Sequence, residues 1–503
     1  MLHSAILAAC CCLIQVRATD PSPRIIIVGS GASGIAAASR LMQNGFDNVK
    51  ILEAENRIGG RVHTTEFGGY LVDLGGQWVH GEVDNVAYEL AWPLGLLEHS
   101  NGGWPFKLFG SSGSKIPDET ANNLMGYYMN LTESDTPNEY LNGSIGEYYK
   151  LKIDEYFESH PDIRTEQRES LEYMINLFQM SMDAGDSWFN VSAKGLEEYT
   201  NCEGDHAINW KDKGYSTILD ILMKKLPNPE EELPILNNTG LNNEVSQINY
   251  SLLEGPIIVT AANDIQYPAD HVIVTTSLGV LKSDYKTLFD PPLPQEKIDQ
   301  IQGLQLGNVA KIYLHFPEPW WIVNDTKALF SVGFHWTEKD RIEFANDPEK
   351  SWMLGLFSMI SVEHKPRLLC GWMSGPHARE MELLPEEIVF NQTKEFLHRF
   401  LADNYNLTEP SAMLRTQWFS NKHFRGTYSY RSLETERSGA MAVGLSEPIM
   451  KDGKPIILFA GEATSPKYYS TVHGAIGAGW READRLIKLY ADRKSNPETS
   501  RSR

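Results

Sequence analysis

The sequence predicts an α/β protein of two domains, and three observations carry that prediction. At 503 residues the chain is longer than one compact core ordinarily organises. Short apolar runs that read as buried strands recur at residues 24–29, 49–52, 271–276 and 455–460, so one sheet is assembled from distant parts of the chain. The first run passes through a glycine turn directly into a helical, alanine-rich stretch, as a strand–helix–strand unit requires.

That turn is Gly29-Ser30-Gly31-Ala32-Ser33-Gly34, a G-x-G-x-x-G between the strand at 24–29 and a helix through about residue 44. Gly29 permits the tight turn, Gly31 lets backbone approach a pyrophosphate, and Gly34 lets the helix pack on its strand. The helix N-terminus offers unpaired N–H groups to phosphate. The second strand, Val49-Lys50-Ile51-Leu52, ends in Glu53, an acid placed to accept hydrogen bonds from a ribose. Strand, glycine turn, helix, strand and acid together form a Rossmann-like dinucleotide-binding fingerprint.

Composition narrows partners and compartment. Asp and Glu number 66 against 45 Lys and Arg, a net charge of −21, which argues against nucleic acid or an anionic membrane as partner and suits a cationic ligand. Residues 1–18 read as a signal peptide, with a short apolar core containing Cys10, Cys11 and Cys12 and a small-residue site at Val16-Arg17-Ala18. The run is short for a membrane span, and no other stretch qualifies, so no integral membrane segment is expected. Eight N-x-S/T sequons, at Asn130, Asn142, Asn190, Asn237, Asn249, Asn324, Asn391 and Asn406, favour a secreted, N-glycosylated protein. Past the leader only Cys202 and Cys370 remain, enough for one disulfide. No metal-ligand spacing is evident.

In chain order, residues 19–98 read as the first part of the nucleotide-binding domain. They close on Leu74-Gly75-Gly76-Gln77-Trp78-Val79-His80-Gly81, a strand followed by a glycine turn. Residues 99–234 read as a helical insertion rich in Tyr, Asn and Glu, belonging to a second domain. Strand character at 243–248, 255–260 and 271–276 returns the chain to the nucleotide domain over 235–290. Residues 291–440 leave it again, through a helix at 295–304 and a strand at 308–316, and read as the sheet part of the second domain. A last strand and a glycine-rich helix at 473–489 complete the nucleotide domain over 441–490, and 491–503 read as a polar, disordered tail that ends in neither a K-D-E-L-type nor an S-K-L signal.

In the strand at 308–316 a period of two sets Val309, Lys311, Tyr313 and His315 on one face. An ammonium in mid-strand among apolar neighbours needs a partner or a task; snorkelling at a strand edge is the plain alternative. The aromatic set Trp418, Phe424, Tyr428 and Tyr430 reads first as core.

Glu53-Ala54-Glu55-Asn56-Arg57-Ile58-Gly59-Gly60-Arg61 adds a second glycine pair and an arginine after the ribose acid. It resembles the E-x-x-x-R-x-G-G-R signature of the flavin amine oxidase family. The likeness continues through Phe459-Ala460-Gly461-Glu462-Ala463-Thr464, Tyr469-Ser470-Thr471-Val472-His473-Gly474-Ala475 and Gly479-Trp480-Arg481-Glu482-Ala483-Asp484, which match the C-terminal FAD segment of animal polyamine oxidases. The resemblance implies a Rossmann-like FAD-binding domain plus an α+β substrate-binding domain, both built from discontinuous segments.

It also implies roles. Gly60, Arg61, Gly76, Gln77, Trp78 and Trp418 would neighbour the flavin, Glu462 its ribityl and pyrophosphate region, Thr471 and Val472 its ring, and Val245 the adenine. Lys311 would hold a water on flavin N5. His80, Tyr428, Tyr430, Ser470 and Thr471 would surround the substrate, with His80 meeting an amine nitrogen. The implied activity is oxidation of a secondary amine of spermine, spermidine or an acetylated polyamine by O2, giving an aldehyde, a shorter amine and H2O2. Rival readings are an L-amino-acid or monoamine oxidase, or a secreted flavoprotein without turnover. No arginine is assignable to an amino acid's carboxylate, and no cysteine near the C-terminal FAD segment could attach flavin covalently. Oligomeric state stays open.

Overall fold

The computed structural model describes residues 22–100, 105–134, 136–251, 255–322 and 329–495. The leader, Asn324 and the last eight residues therefore lie outside the described residues. Ile25–Val28 is wholly buried and apolar on both faces, as a central parallel strand must be. It pairs in parallel with Val49–Leu52 on one side and with His271–Val274 on the other. The six-stranded sheet runs Ile449–Lys451, Lys454–Phe459, His271–Val274, Ile25–Val28, Val49–Leu52, Thr239–Gly240, with the first of these an antiparallel edge.

The helix Ala32–Gln43 packs on the last helix, Val472–Ser495, through small residues. A Cβ on Gly479 would stand 2.2 Å from the Ser33 carbonyl, so only glycine allows this approach. That last helix continues through Ser495, so residues 491–495 of the expected tail are helical; the rest of that stretch lies outside the described residues. Trp210, Tyr215, Ile218, Leu219 and Leu222 share the core of the first helix, so the nucleotide side draws on the chain before residue 235.

A second six-stranded sheet runs Ala412–Arg415, Val309–His315, Lys365–Ser374, Leu356–Val362, Ser331–His335, Lys107–Gly110. The last strand comes from the stretch expected to be mostly helical. Lys107–Gly110 is only four residues long, too short to show a period, yet it joins Ser331–His335 in parallel. The helices Glu338–Ala345, Pro376–Leu383 and Glu386–Leu401 break what read as a run of strands; the last covers the sheet with Phe396 and Phe400 against Phe334 and Trp336. Residues 64–73 form a hairpin, Thr64–Phe67 and Tyr70–Asp73, turned by Gly68 and Gly69 at φ 60° and 81°. Cys202 and Cys370 are both buried free thiols, so the disulfide is not formed. Among the described residues no helix is long and apolar enough to cross a membrane.

Candidate active site

A cavity of about 1750 Å³ lies between the two sheets. It exceeds the usual span for one small ligand, about 300–1,000 Å³, and has room for a dinucleotide and a substrate together.

At the nucleotide end two glycine loops stand back to back. Gly59 N–H donates to the Ser30 carbonyl at 2.9 Å, and a Cβ on Gly60 would stand 3.3 Å from the Gly31 Cα. Gly29, Gly31 and Gly60 line the cavity; Gly34 does not. A Cβ on Gly34 would stand 2.0 Å from the Gly29 carbonyl, which is the helix-packing task of the third glycine. Gly31 caps the Ala32–Gln43 helix without a side-chain hydrogen bond, leaving its N-terminal N–H groups for a phosphate. Glu53 accepts from Ser30 N and Oγ, both at 2.7 Å, and from Glu55 N at 2.8 Å, a buried carboxylate with further lone pairs toward the cavity it lines. Val245 lines the same end. These residues fit a dinucleotide.

Midway, Glu462 ties four segments together. Its Oε1 accepts from Arg61 Nη1 at 2.9 Å; its Oε2 accepts from Ser429 Oγ at 2.7 Å and from Ser470 N at 2.8 Å. Arg61 also donates to the Thr427 carbonyl. Ser470 holds φ at 69°, a left-handed conformation uncommon for serine and fixed here by these bonds. Thr471 Oγ1 accepts from Gly474 N at 2.9 Å, and Thr471 and Val472 line the cavity where the last helix begins.

Lys311 sits mid-strand opposite Trp372, buried on both faces, and does not snorkel. Its Nζ donates to Asp73 O at 3.0 Å, Gly75 O at 2.8 Å and Gln77 Oε1 at 2.9 Å, so the 73–77 turn wraps the ammonium. Burial depresses its pKa to about 8, against the charge of neighbouring Asp73, whose own carboxyl burial raises to about 6. Tyr313 Oη donates to the Asp73 carbonyl at 2.7 Å and to Gln77 Oε1 at 3.3 Å. With Oε1 taken twice, the other end of the Gln77 amide is a donor. Gly75 is obligatory, since a Cβ there would stand 1.7 Å from the Arg61 carbonyl. Trp78 stacks on Trp372 at 5.6 Å and 15°, and Nζ of Lys311 stands 4.8 Å from the Trp372 ring. Trp418 is buried, with Nε1 donating to the Leu74 carbonyl at 3.1 Å.

At the far end His80 Nδ1 lies 2.7 Å from the His206 carbonyl, an acceptor only; Nδ1 therefore carries the proton and Nε2 a lone pair. Surrounding protein lowers the pKa of His80; the hydrogen bond to the His206 carbonyl opposes this and the charge of the His206 ring adds to it. Burial takes His473, 3.7 Å from Cys202 Sγ, down to about 4. Tyr428, Tyr430 and Ser470 line this end, and Tyr428 Oη donates to the Ser181 carbonyl at 2.5 Å.

Further charged residues also line it. Asp183 accepts from Gln179 Nε2 at 2.6 Å, and burial raises its carboxyl to about 6. Glu133 and Glu197 stand on the same wall, as does Arg431, whose Nε donates to Glu198 at 3.1 Å. Asp183 ends a helix whose hydrophobic period hides it, and Arg431 adjoins a tyrosine run that reads as core; only tertiary packing sets them together.

Comparison with known proteins agrees with this geometry. The family model described as flavin containing amine oxidoreductase matches residues 32–487. The peroxisomal N(1)-acetyl-spermine/spermidine oxidase of Bos taurus is 31% identical, covering 96% of this chain and 98% of the relative. Its Homo sapiens counterpart is 30% identical over 94% and 97%. A solved structure of a redesigned putrescine oxidase superposes with TM-score 0.65 at 20% identity, covering 93% of this chain and 99% of that one, a likeness of fold. With glycine loops, ribose acid and cavity size suited to FAD, the chain belongs to the flavin-containing amine oxidoreductase family and is an FAD-dependent amine oxidase.

Proposed function

We propose that the protein oxidises a secondary amine of a polyamine and acts outside the cell. The observation that carries the substrate reading is the cavity's own lining, which includes Glu133, Asp183 and Glu197 together with Tyr428, Tyr430 and Tyr469. Acids and aromatic faces suit a flexible chain of ammonium groups. The names of the bovine and human relatives agree with this class.

FAD, when bound, takes two electrons from the C–H bond beside the amine nitrogen and delivers them to O2, so that the amine becomes an imine and O2 becomes H2O2. The chain's residues supply position and protons. His80 Nε2, a lone pair aimed from a neutral ring, accepts an N–H from the reacting amine and favours its neutral, oxidisable form. In its ammonium form Lys311 has all three N–H bonds engaged, so it takes up a water on its free lone pair only after losing a proton, near pH 8. Trp78 and Trp372 wall that position with stacked rings.

Peroxide release from spermine, spermidine, N1-acetylspermine, L-leucine and L-phenylalanine tests the reading. Polyamines should be turned over fastest; an amino acid outrunning all of them would overturn the substrate class and leave the family intact.

Export rests on the leader and the sequons. Of the seven described sequon asparagines, all but Asn249 are exposed. Asn249 is half-buried, with Nδ2 donating to Asp290 at 2.7 Å, and should stay unmodified. Expression in eukaryotic cells should give protein in the medium that shrinks after N-glycosidase treatment; an unglycosylated intracellular product would reject the assignment.

A further inference from the structure

The loop from Trp418 to Gly426 leaves the second sheet after Ala412–Arg415 and crosses to the nucleotide end, where Lys422, His423 and Phe424 line the cavity along with Glu53 and Val245. Its base is fixed from its own side. Glu382 accepts from Phe419 N at 3.2 Å and from Ser420 N at 2.8 Å, and Gly426 N–H donates to the Trp418 carbonyl at 3.1 Å. Its tip reaches the nucleotide side through side chains. His423 Nδ1 lies 2.6 Å from Glu55 Oε1, which also accepts from Asn421 Nδ2 at 3.3 Å. Across the ring, Nε2 stands 3.5 Å from Glu244 Oε2, an oxygen that accepts from Lys422 Nζ at 2.6 Å.

We propose that His423 pins this loop as a strap across the ADP half of the FAD site and so sets how fast FAD leaves. The two carboxylates it meets belong to the two segments suited to the nucleotide. Glu55 lies two residues past Glu53, and Glu244 directly precedes Val245. Those segments already run side by side, Asn243 N–H donating to the Glu53 carbonyl at 2.7 Å, so what His423 adds is the loop and not their pairing. Shielding decides which tie matters. Lys422 and Glu244 are 61% and 40% exposed, and water screens their pair; His423 and Glu55 are each 19% exposed and pair at closer to full strength. Burial works to raise the Glu55 carboxyl, yet the bonds from His423 and Asn421 outweigh it and hold the group below its usual range.

The test is the rate at which flavin fluorescence appears when the FAD-loaded full chain is diluted, alongside thermal melting of the apoprotein. His423→Ala should quicken release on the order of tenfold and leave apoprotein melting unchanged, while His423→Gln, which still donates to Glu55, should recover most of the loss. Lys422→Met should change release by about twofold or less. Glu55→Ala should quicken release as His423→Ala does, and the double variant no further, because both break one tie. Glu55→Ala decides the matter if His423→Ala does not fold. Release at the wild-type rate in either variant would overturn the strap. So would a fall in apoprotein melting that accounts for the faster release, since His423 would then hold the two domains together whether or not FAD is bound.

Discussion

Lys311 and Arg431 are two buried cations on the wall of one cavity, housed in opposite ways. The turn from Asp73 to Gln77 supplies Lys311 with three acceptors for three N–H bonds. Arg431 has one acceptor for five. The first has an acceptor for every N–H; the second leaves Nη1 and Nη2 without one among the described residues, beneath the Tyr469 ring. Burial is common to both, and the balance of donors against acceptors separates them.

The comparison fails first if the turn around Lys311 can be altered freely. Gly75→Ala drives a Cβ into the Arg61 carbonyl and should abolish FAD retention; normal flavin absorbance in the purified variant would refute the tight fit. Next comes Lys311→Met, which keeps the stem and strands the Gly75 carbonyl, the other two acceptors keeping Tyr313 Oη. It should slow flavin reoxidation on the order of tenfold or more in stopped flow, with FAD still bound. In wild type that rate should inflect near pH 8, as the ammonium gives way to the amine, and the inflection should vanish in the variant.

Stability sharpens the contrast further. Lys311→Met leaves the Gly75 carbonyl unpaired and should cost about 1–3 kcal/mol in urea melts, whereas Arg431→Met frees only Glu198, about a third exposed, and should cost less than about 1 kcal/mol. Equal losses would erase the distinction. The smallest effect concerns acid. His63, His335 and His473 have folded pKa values of about 4 against 6.5, so their contribution is present above pH 6.5 and is lost as pH falls toward 4. Asp73 and Asp183, raised to about 6, take up protons in the fold first and add stability over the interval down to 3.8, a partial offset. Asp183→Asn removes one offset, and its melting temperature should fall more steeply than wild type between pH 6 and 4.

The nucleotide end was legible because its demands are local. Gly29, Gly31 and Gly34 shape the turn through backbone geometry that a few consecutive residues determine, and Glu53 follows the next strand. Lys311 was conspicuous because charge in mid-strand breaks a pattern, yet its acceptors, Asp73 and Gly75 carbonyls, leave no mark in side-chain chemistry. Lys107–Gly110 was missed as a strand because four residues show no period until a partner strand exists. The burial of Arg431 was not legible, since its neighbours Glu198 and Tyr469 lie far away in sequence.

The sheet that carries the glycine turn has one further consequence, for synthesis. Ile25–Val28 leaves the ribosome among the first residues, but its neighbour His271–Val274 pairs in turn with Lys454–Phe459, and its helix rests on Val472–Ser495. Such distant pairing folds slowly, because chain closure precedes its reward. The earliest-made element must wait, exposed, for the last-made one. A nascent chain halted anywhere before residue 454 lacks an interior strand of this sheet and should hold no flavin, so a yellow product reports translation past that strand.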